Sequence, residues 1–143
     1  MSQIDRLSMT PEIRDYFTSL CKRAGADTAV PVSFVSVSDV GWVPSARACH
    51  ANADRWASLK PARKVVRGWL IGATDGAGGY LFIAHSVVEE CGELHDITPA
   101  DSFPDVVPLK PEPPRLFLRH EGSLESFDAM LPQCNSVSFN PFM

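Results

Sequence analysis

Three extended segments separated by very short turns occupy residues 65–98, and they restrict the fold more than any other feature of the chain. The segments 65–71 and 80–89 are rich in β-branched and aromatic residues, and a glycine-rich stretch at 75–79 separates them. A third segment, 93–98, follows Cys91 and Gly92. Because such short turns join antiparallel neighbours, we predict an antiparallel sheet here.

The second turn of this region fixes which side chains share a face of the sheet. If Cys91 and Gly92 form a two-residue loop, counting outward places Val87 opposite Asp96. His85 and Asp96 are then diagonal neighbours on one face, about 7–8 Å apart between backbones, which long side chains can bridge. A loop one residue longer would move Asp96 to the opposite face.

A first helix is predicted upstream of the sheet. Thr10 can cap the free amides and Pro11 suits the first helical position, so the helix should begin there and run to about Ala24. Gly25 would provide a left-handed stop. A buried apolar stripe at helical spacing comprises Ile13, Tyr16, Phe17, Leu20, Cys21 and Ala24.

A second helix is predicted to carry a cysteine near its start. Ser45 can cap this helix, which stops before Pro61 and holds Cys49 within about its first turn. The unpaired amides and the dipole of a helix N-terminus stabilise an anion, which lowers the pKa of a thiol. The simpler interpretation is that Cys49 is a small buried apolar residue.

The rest of the chain completes the predicted architecture. We expect a short strand at 32–37, an extended proline-rich segment beyond Pro99, and an edge strand at 116–118. The fold class is α+β, with N-terminal helices packed on a small antiparallel sheet and an extended Pro-rich C-terminal segment. We expect one domain over 1–143, with its core at about 10–99 and a wrap and tail at 100–143.

Composition excludes several classes of function. The formal charge is −4 and there is no long basic run, which argues against a nucleic-acid partner. No apolar stretch approaches the length that spans a bilayer, so we expect no membrane partner. The four cysteines, Cys21, Cys49, Cys91 and Cys134, are widely scattered, so reduced thiols and a cytoplasmic location are expected.

The middle of the chain resembles a group of small uncharacterised proteins, mainly from bacteria and phages. The shared pattern is CHxN, GW, H and DxTP, which this chain carries as Cys49-His50-Ala51-Asn52, Gly68-Trp69, His85 and Asp96-Ile97-Thr98-Pro99. This group looks like distant papain-like or NlpC-like thiol folds, in which a cysteine heads a helix packed on an antiparallel sheet. The CGxCW signature of the well-known thiol peptidases is absent.

This arrangement predicts a thiol hydrolase or acyltransferase. Cys49 is the expected nucleophile, His85 the general base and later general acid, and Asp96 the residue that orients the imidazole. The Cys49 amide would contribute to an oxyanion hole, with Asn52 or His50 as further contributors. Asn52 and Trp69 are the candidate substrate-binding residues for a small-molecule or peptide-like substrate, and no cofactor is required.

Two other functions use the same residues. Zinc could be bound by Cys49, His50 and His85, together with Asp96 or His95. Alternatively, the domain is a non-catalytic binding module whose cleft uses Trp42, Trp56 and Trp69.

Structural roles and self-association are further alternatives. His85 can be a half-buried histidine bonded to a backbone carbonyl, Asp96 a turn or cap residue, and Asn52 a side chain that bonds back to its own helix terminus. The apolar C-terminal tail favours a homodimer.

Overall fold

A computed structural model describes residues 9–99 and 115–142 of the chain. Its elements, in chain order, are α1 (Pro11–Gly25), β1 (Val30–Phe34), α2 (Cys49–Ser58), β2 (Lys64–Thr74), β3 (Tyr80–Glu90), β4 (Glu93–Asp96), β5 (Arg115–Arg119), α3 (Leu124–Cys134) and β6 (Ser136–Phe139). No helix among these residues is long and apolar enough to cross a membrane.

The strand pairing overturns the predicted fold class. The strands form one sheet in the order β2-β5-β1-β4-β3-β6, and β2 also pairs with β3, so five strands close into a mixed β-barrel and β6 extends it. β1 and β4 run parallel, whereas a small antiparallel sheet with helices packed on it was expected. The prediction was wrong because short turns specify only sequential neighbours. The pairings of β1 and β5 join distant parts of the chain and leave no local pattern.

The predicted extended C-terminal segment was also wrong where the chain is described. Residues 115–142 contain β5, α3 and β6, and β5 lies between β2 and β1 rather than at a sheet edge. Ser123 caps α3 by accepting a hydrogen bond from the Ser126 amide at 3.1 Å. Pro132 lies inside this helix. The proline-rich part at 100–114 lies outside the described residues.

The described residues group into two compact units. The first comprises residues 9–30, 68–84 and 116–142. Its core contains α1 residues of the predicted stripe, of which Phe17, Leu20 and Cys21 are fully buried. Thr10 caps α1 as predicted. Gly25, however, is the last helical residue, and the left-handed conformation falls on Asp27, with a φ of 56°.

The second unit comprises residues 31–67, 85–99 and 115. A small apolar cluster of Ala53, Val88 and Ile97 packs α2 against strands of this unit, with Trp56 and Val65 against its edge. Cys49 is the first residue of α2, which places it in the first turn as predicted. Ser45 does not cap this helix; the cap position is Ala48, which makes no side-chain hydrogen bond to the helix.

Candidate active site

The β3–β4 hairpin has the register that the sequence predicts. Glu90 pairs with Glu93, so Cys91 and Gly92 are the two loop residues. Their φ angles are 56° and 79°, which is the conformation that a two-residue turn of right-handed twist requires. His85 and Asp96 therefore lie on one face of the hairpin.

His85 and Asp96 form a buried ion pair. The Nε2 atom of His85 lies 3.0 Å from Oδ1 of Asp96, and both side chains are more than nine-tenths buried. Asp96 also accepts a hydrogen bond from the Thr98 amide at 3.1 Å and a short one from Arg115 Nη2. On the other side of β4, the amide of Val35 donates to the Asp96 carbonyl at 2.9 Å. The carboxylate is thus fixed from several directions.

The local backbone presents Cys49 at a helix terminus with free amides. Ala48 offers no side chain to cap these amides, and Arg47, just before it, has a φ of 65° that non-glycine residues rarely adopt. Such strain is most often kept where it places a functional group. Cys49 is partly exposed.

The protonation of Cys49 is set by two histidines. Burial opposes ionisation of the thiol, but hydrogen bonds and charge from His50 and His85 outweigh it and lower the pKa of Cys49 to about 6. Burial also disfavours the charged form of His85. The hydrogen bonds and negative charges of Asp96 and Cys49 nevertheless raise the pKa of His85 to about 9. Between these values the pair is a thiolate and an imidazolium.

Asp96 remains ionised throughout this range. Burial raises the pKa of a carboxyl group, but the contact with His85, the Thr98 amide and the Arg115 guanidinium together lower the pKa of Asp96 below its usual range. A carboxylate so held orients the ring of His85 and stabilises its charged form.

A second series of hydrogen-bonded polar side chains ends at His50. Ser86, which is completely buried, lies with its Oγ 2.6 Å from Nδ1 of His50 and accepts a hydrogen bond from Arg67 Nη1 at 3.1 Å. Arg67 is itself buried and pairs with Asp54 at 3.1 Å. Sequence reasoning missed Ser86, Arg67 and Asp54. A charged residue within the apolar run of β2 was the available indication, since buried arginines require partners.

Asn52 is occupied by structural hydrogen bonds. Its amide nitrogen donates to the Ser45 carbonyl at 2.8 Å and to the Thr98 hydroxyl at 3.0 Å, and its oxygen accepts from the Ser45 amide at 3.1 Å. Both amide hydrogens are therefore used. The side chain ties the loop before α2 to the end of β4, and substrate binding by Asn52 stays a prediction from the sequence.

Trp69, the other candidate substrate-binding residue, is fully buried in the core of the first unit. Its indole nitrogen donates to the Tyr16 hydroxyl at 2.7 Å. Trp42 and Trp56, which belong to the second unit, stack with centroids 6.4 Å apart. The guanidinium of Arg63 lies 3.8 Å from the ring of Trp56.

No family model, curated protein or solved structure matches this chain.

Residues 9–99 and 115–142 contain no group of three or more His, Cys, Asp or Glu side chains arranged to hold a metal ion. Zinc binding through Cys49, His50 and His85 stays a prediction from the sequence.

Proposed function

We propose that this protein is a thiol-dependent hydrolase or acyltransferase that acts on a small-molecule or peptide-like substrate. One observation carries the proposal: His85 interacts with both the Cys49 thiol and the buried carboxylate of Asp96. This is the relation of nucleophile, base and orienting group that nucleophilic acyl transfer requires. Such triads recur on unrelated folds, so the barrel topology is compatible with this chemistry.

The reaction would proceed in two steps through a thioester. The Cys49 thiolate attacks the carbonyl carbon, and the carbonyl π electrons move to oxygen as a tetrahedral intermediate forms. As the intermediate collapses, the bond to the leaving group breaks and His85 gives that group its proton. His85, now neutral, takes a proton from water or from an acceptor nucleophile, which attacks the thioester and releases the thiolate.

The charge state of the resting site favours the first step. The low pKa of Cys49 supplies a nucleophile near neutral pH without a separate deprotonation, and the raised pKa of His85 keeps the leaving-group proton in place. A thiolate of this kind persists in a reducing compartment, so we place the protein in the cytoplasm.

The proposal is tested with p-nitrophenyl acetate, an activated ester that acetylates reactive thiols. We expect a burst of p-nitrophenolate equal to the protein concentration and one acetyl group located on Cys49 by mass spectrometry. The burst rate should be half-maximal near pH 6, where Cys49 ionises. C49A should abolish the burst.

C91A is the matched control, because Cys91 is an exposed thiol of the same chain at the hairpin turn. This variant should keep both the burst and its pH dependence. Acetyl groups spread over several cysteines, or a burst that persists in C49A, would contradict the proposed function.

A further inference from the structure

The Ser86 hydroxyl determines which nitrogen of His50 carries a proton. Ser86 Oγ accepts a hydrogen bond from Arg67, because a guanidinium can only donate. The hydroxyl hydrogen then points away from Arg67, and Nδ1 of His50 lies 2.6 Å from the oxygen. Because Ser86 Oγ already accepts from Arg67, this short contact favours donation from the Ser86 hydroxyl to Nδ1, the direction that leaves the ring proton of a neutral His50 on Nε2.

The ion pair behind Ser86 maintains this direction. Arg67 is held by both oxygens of Asp54, at 3.1 and 3.3 Å, so the guanidinium keeps its hydrogen aimed at Ser86. Because Ser86 is fully buried, water does not compete for these bonds. The chain Asp54–Arg67–Ser86 thus orders one tautomer of His50.

The two histidines that interact with Cys49 have different kinds of partner. His85 faces a carboxylate, which favours its charged form. His50 faces a hydroxyl that is itself bonded to a cation.

We propose that His50 is a catalytic hydrogen-bond donor that stabilises the oxyanion through its Nε2–H, with Asp54, Arg67 and Ser86 as positioning residues. This inference rests on the proposed function. In the resting site the donor stabilises the Cys49 thiolate, which accounts for the influence of His50 on that thiol. During attack the negative charge passes from sulfur to the carbonyl oxygen, and the Nε2–H follows it. His50 forms and breaks no covalent bond.

The role is tested by comparing two reactions of Cys49. Acetylation by p-nitrophenyl acetate passes through an oxyanion, whereas alkylation by iodoacetamide displaces iodide and generates none. Both depend on the same thiolate fraction, so the ratio of the two rate constants at one pH cancels any change in the ionisation of Cys49. A donor to the oxyanion affects this ratio, and a residue that only tunes the thiol does not.

The matched variants are H50Q and H50N. The glutamine amide reaches the place of Nε2, whereas the asparagine amide reaches only that of Nδ1. We expect H50N to lower the ratio by about 10²-fold, the usual effect of removing one oxyanion donor, and H50Q to keep it within about tenfold of wild type. S86A keeps the imidazole ring but removes the hydroxyl that selects its tautomer, so it should lower the ratio less than H50N does. Circular dichroism verifies that each variant is folded.

The outcomes separate the two proposals. If wild-type protein shows no Cys49-dependent burst, the proposed function fails and the role of His50 fails with it. If the burst is present but H50N keeps the wild-type ratio, only the oxyanion role is overturned. A ratio that falls equally in H50Q and H50N would also overturn it, because the donor position would then not matter.

Discussion

His85 and Asp96 are joined across a hairpin whose loop is two residues long, with 3.0 Å between Nε2 and Oδ1. The short loop and the parallel pairing of β1 with β4 hold the backbone of Asp96 on both sides of its strand. The position of Asp96 is thus determined by backbone register, and the charge of His85 depends on that position.

Replacing Asp96 by asparagine should lower the pKa of His85. The carboxylate and the Cys49 thiolate together raise this pKa to about 9, and a neutral amide removes the contribution of the carboxylate, so the midpoint should fall toward the ordinary value of about 6.5. The Cys49 midpoint should rise, because a charged partner is lost near neutral pH. Nuclear magnetic resonance titration of the His85 ring measures the first shift. E93Q removes an exposed carboxylate on the same strand and should leave the midpoint of His85 unchanged. An unchanged His85 midpoint in D96N would contradict the pairing of His85 with Asp96.

N52A should reduce the stability of the fold more than it alters the thiol. Removing the amide leaves the Ser45 carbonyl and amide and the Thr98 hydroxyl without their partner, at a cost of about 2–4 kcal/mol in the free energy of unfolding. Urea denaturation measures this change. S58A, at the exposed end of the same helix, should cost far less. A direct substrate contact by Asn52 would instead show as lost acetylation with unchanged stability.

Y16F should destabilise the first unit and alter its response to acid. The Tyr16 hydroxyl accepts from Trp69 and bonds to His120 Nδ1 at 2.7 Å, and the other ring nitrogen of His120 lies 2.8 Å from Ser126. Removing the hydroxyl leaves the buried indole donor without an acceptor, which costs about 1–3 kcal/mol. Y80F is the matched tyrosine substitution on β3.

The acid response follows from His120. Burial, with a contribution from Arg23, lowers the pKa of His120 in the folded protein. The unfolded chain therefore binds the proton first, and stability should fall as the pH drops below about 6.5. In Y16F this fall should be smaller because the bond lost on protonation is already absent. Thermal unfolding of the wild type and of Y16F at pH 5 and pH 7 measures this loss of stability. An equal fall in melting temperature between the two pH values in both proteins would contradict the role assigned to His120.

G68A should disrupt the pairing of β2 with β5. A Cβ at Gly68 would fall on the Leu118 carbonyl and the Phe117 ring, so the strands could not approach as closely. Overpacking of this kind costs about 1–3 kcal/mol or more. G72A, on the same strand, would meet only flexible tips of Leu81 and Ile83, at 3.0 and 3.1 Å, and should cost less. Equal melting temperatures for the two variants would refute this explanation of the glycine.

Sequence patterns over a few residues predicted the features that depend on neighbouring residues alone. The hairpin register, the start of α1 and the place of Cys49 follow from turn length, capping chemistry and spacing over a few residues. The helix at 124–134 was accessible by the same means. Ser123 caps it and the apolar residues Leu124, Phe127, Leu131 and Cys134 have helical spacing, although Pro132 lies inside the helix.

The remaining features depend on contacts between distant residues. The position of β5 between β2 and β1 and the bond from Asn52 to Thr98 join parts of the chain that no short pattern relates. The hydrogen bonds that join Arg67, Ser86 and His50 could not be predicted for the same reason. A serine within a strand has no sequence pattern that distinguishes a solvated side chain from a buried donor.

Six charged groups of the proposed site are paired so that their charges sum to zero. Three anionic groups are matched by three cationic ones: Cys49, Asp96 and Asp54 against His85, Arg115 and Arg67. Acylation removes the thiolate charge and the imidazolium charge together, so the sum stays at zero through the proposed cycle. Because acylation leaves the summed charge of these six groups unchanged, added salt should have little effect on the reaction of Cys49 with an uncharged ester.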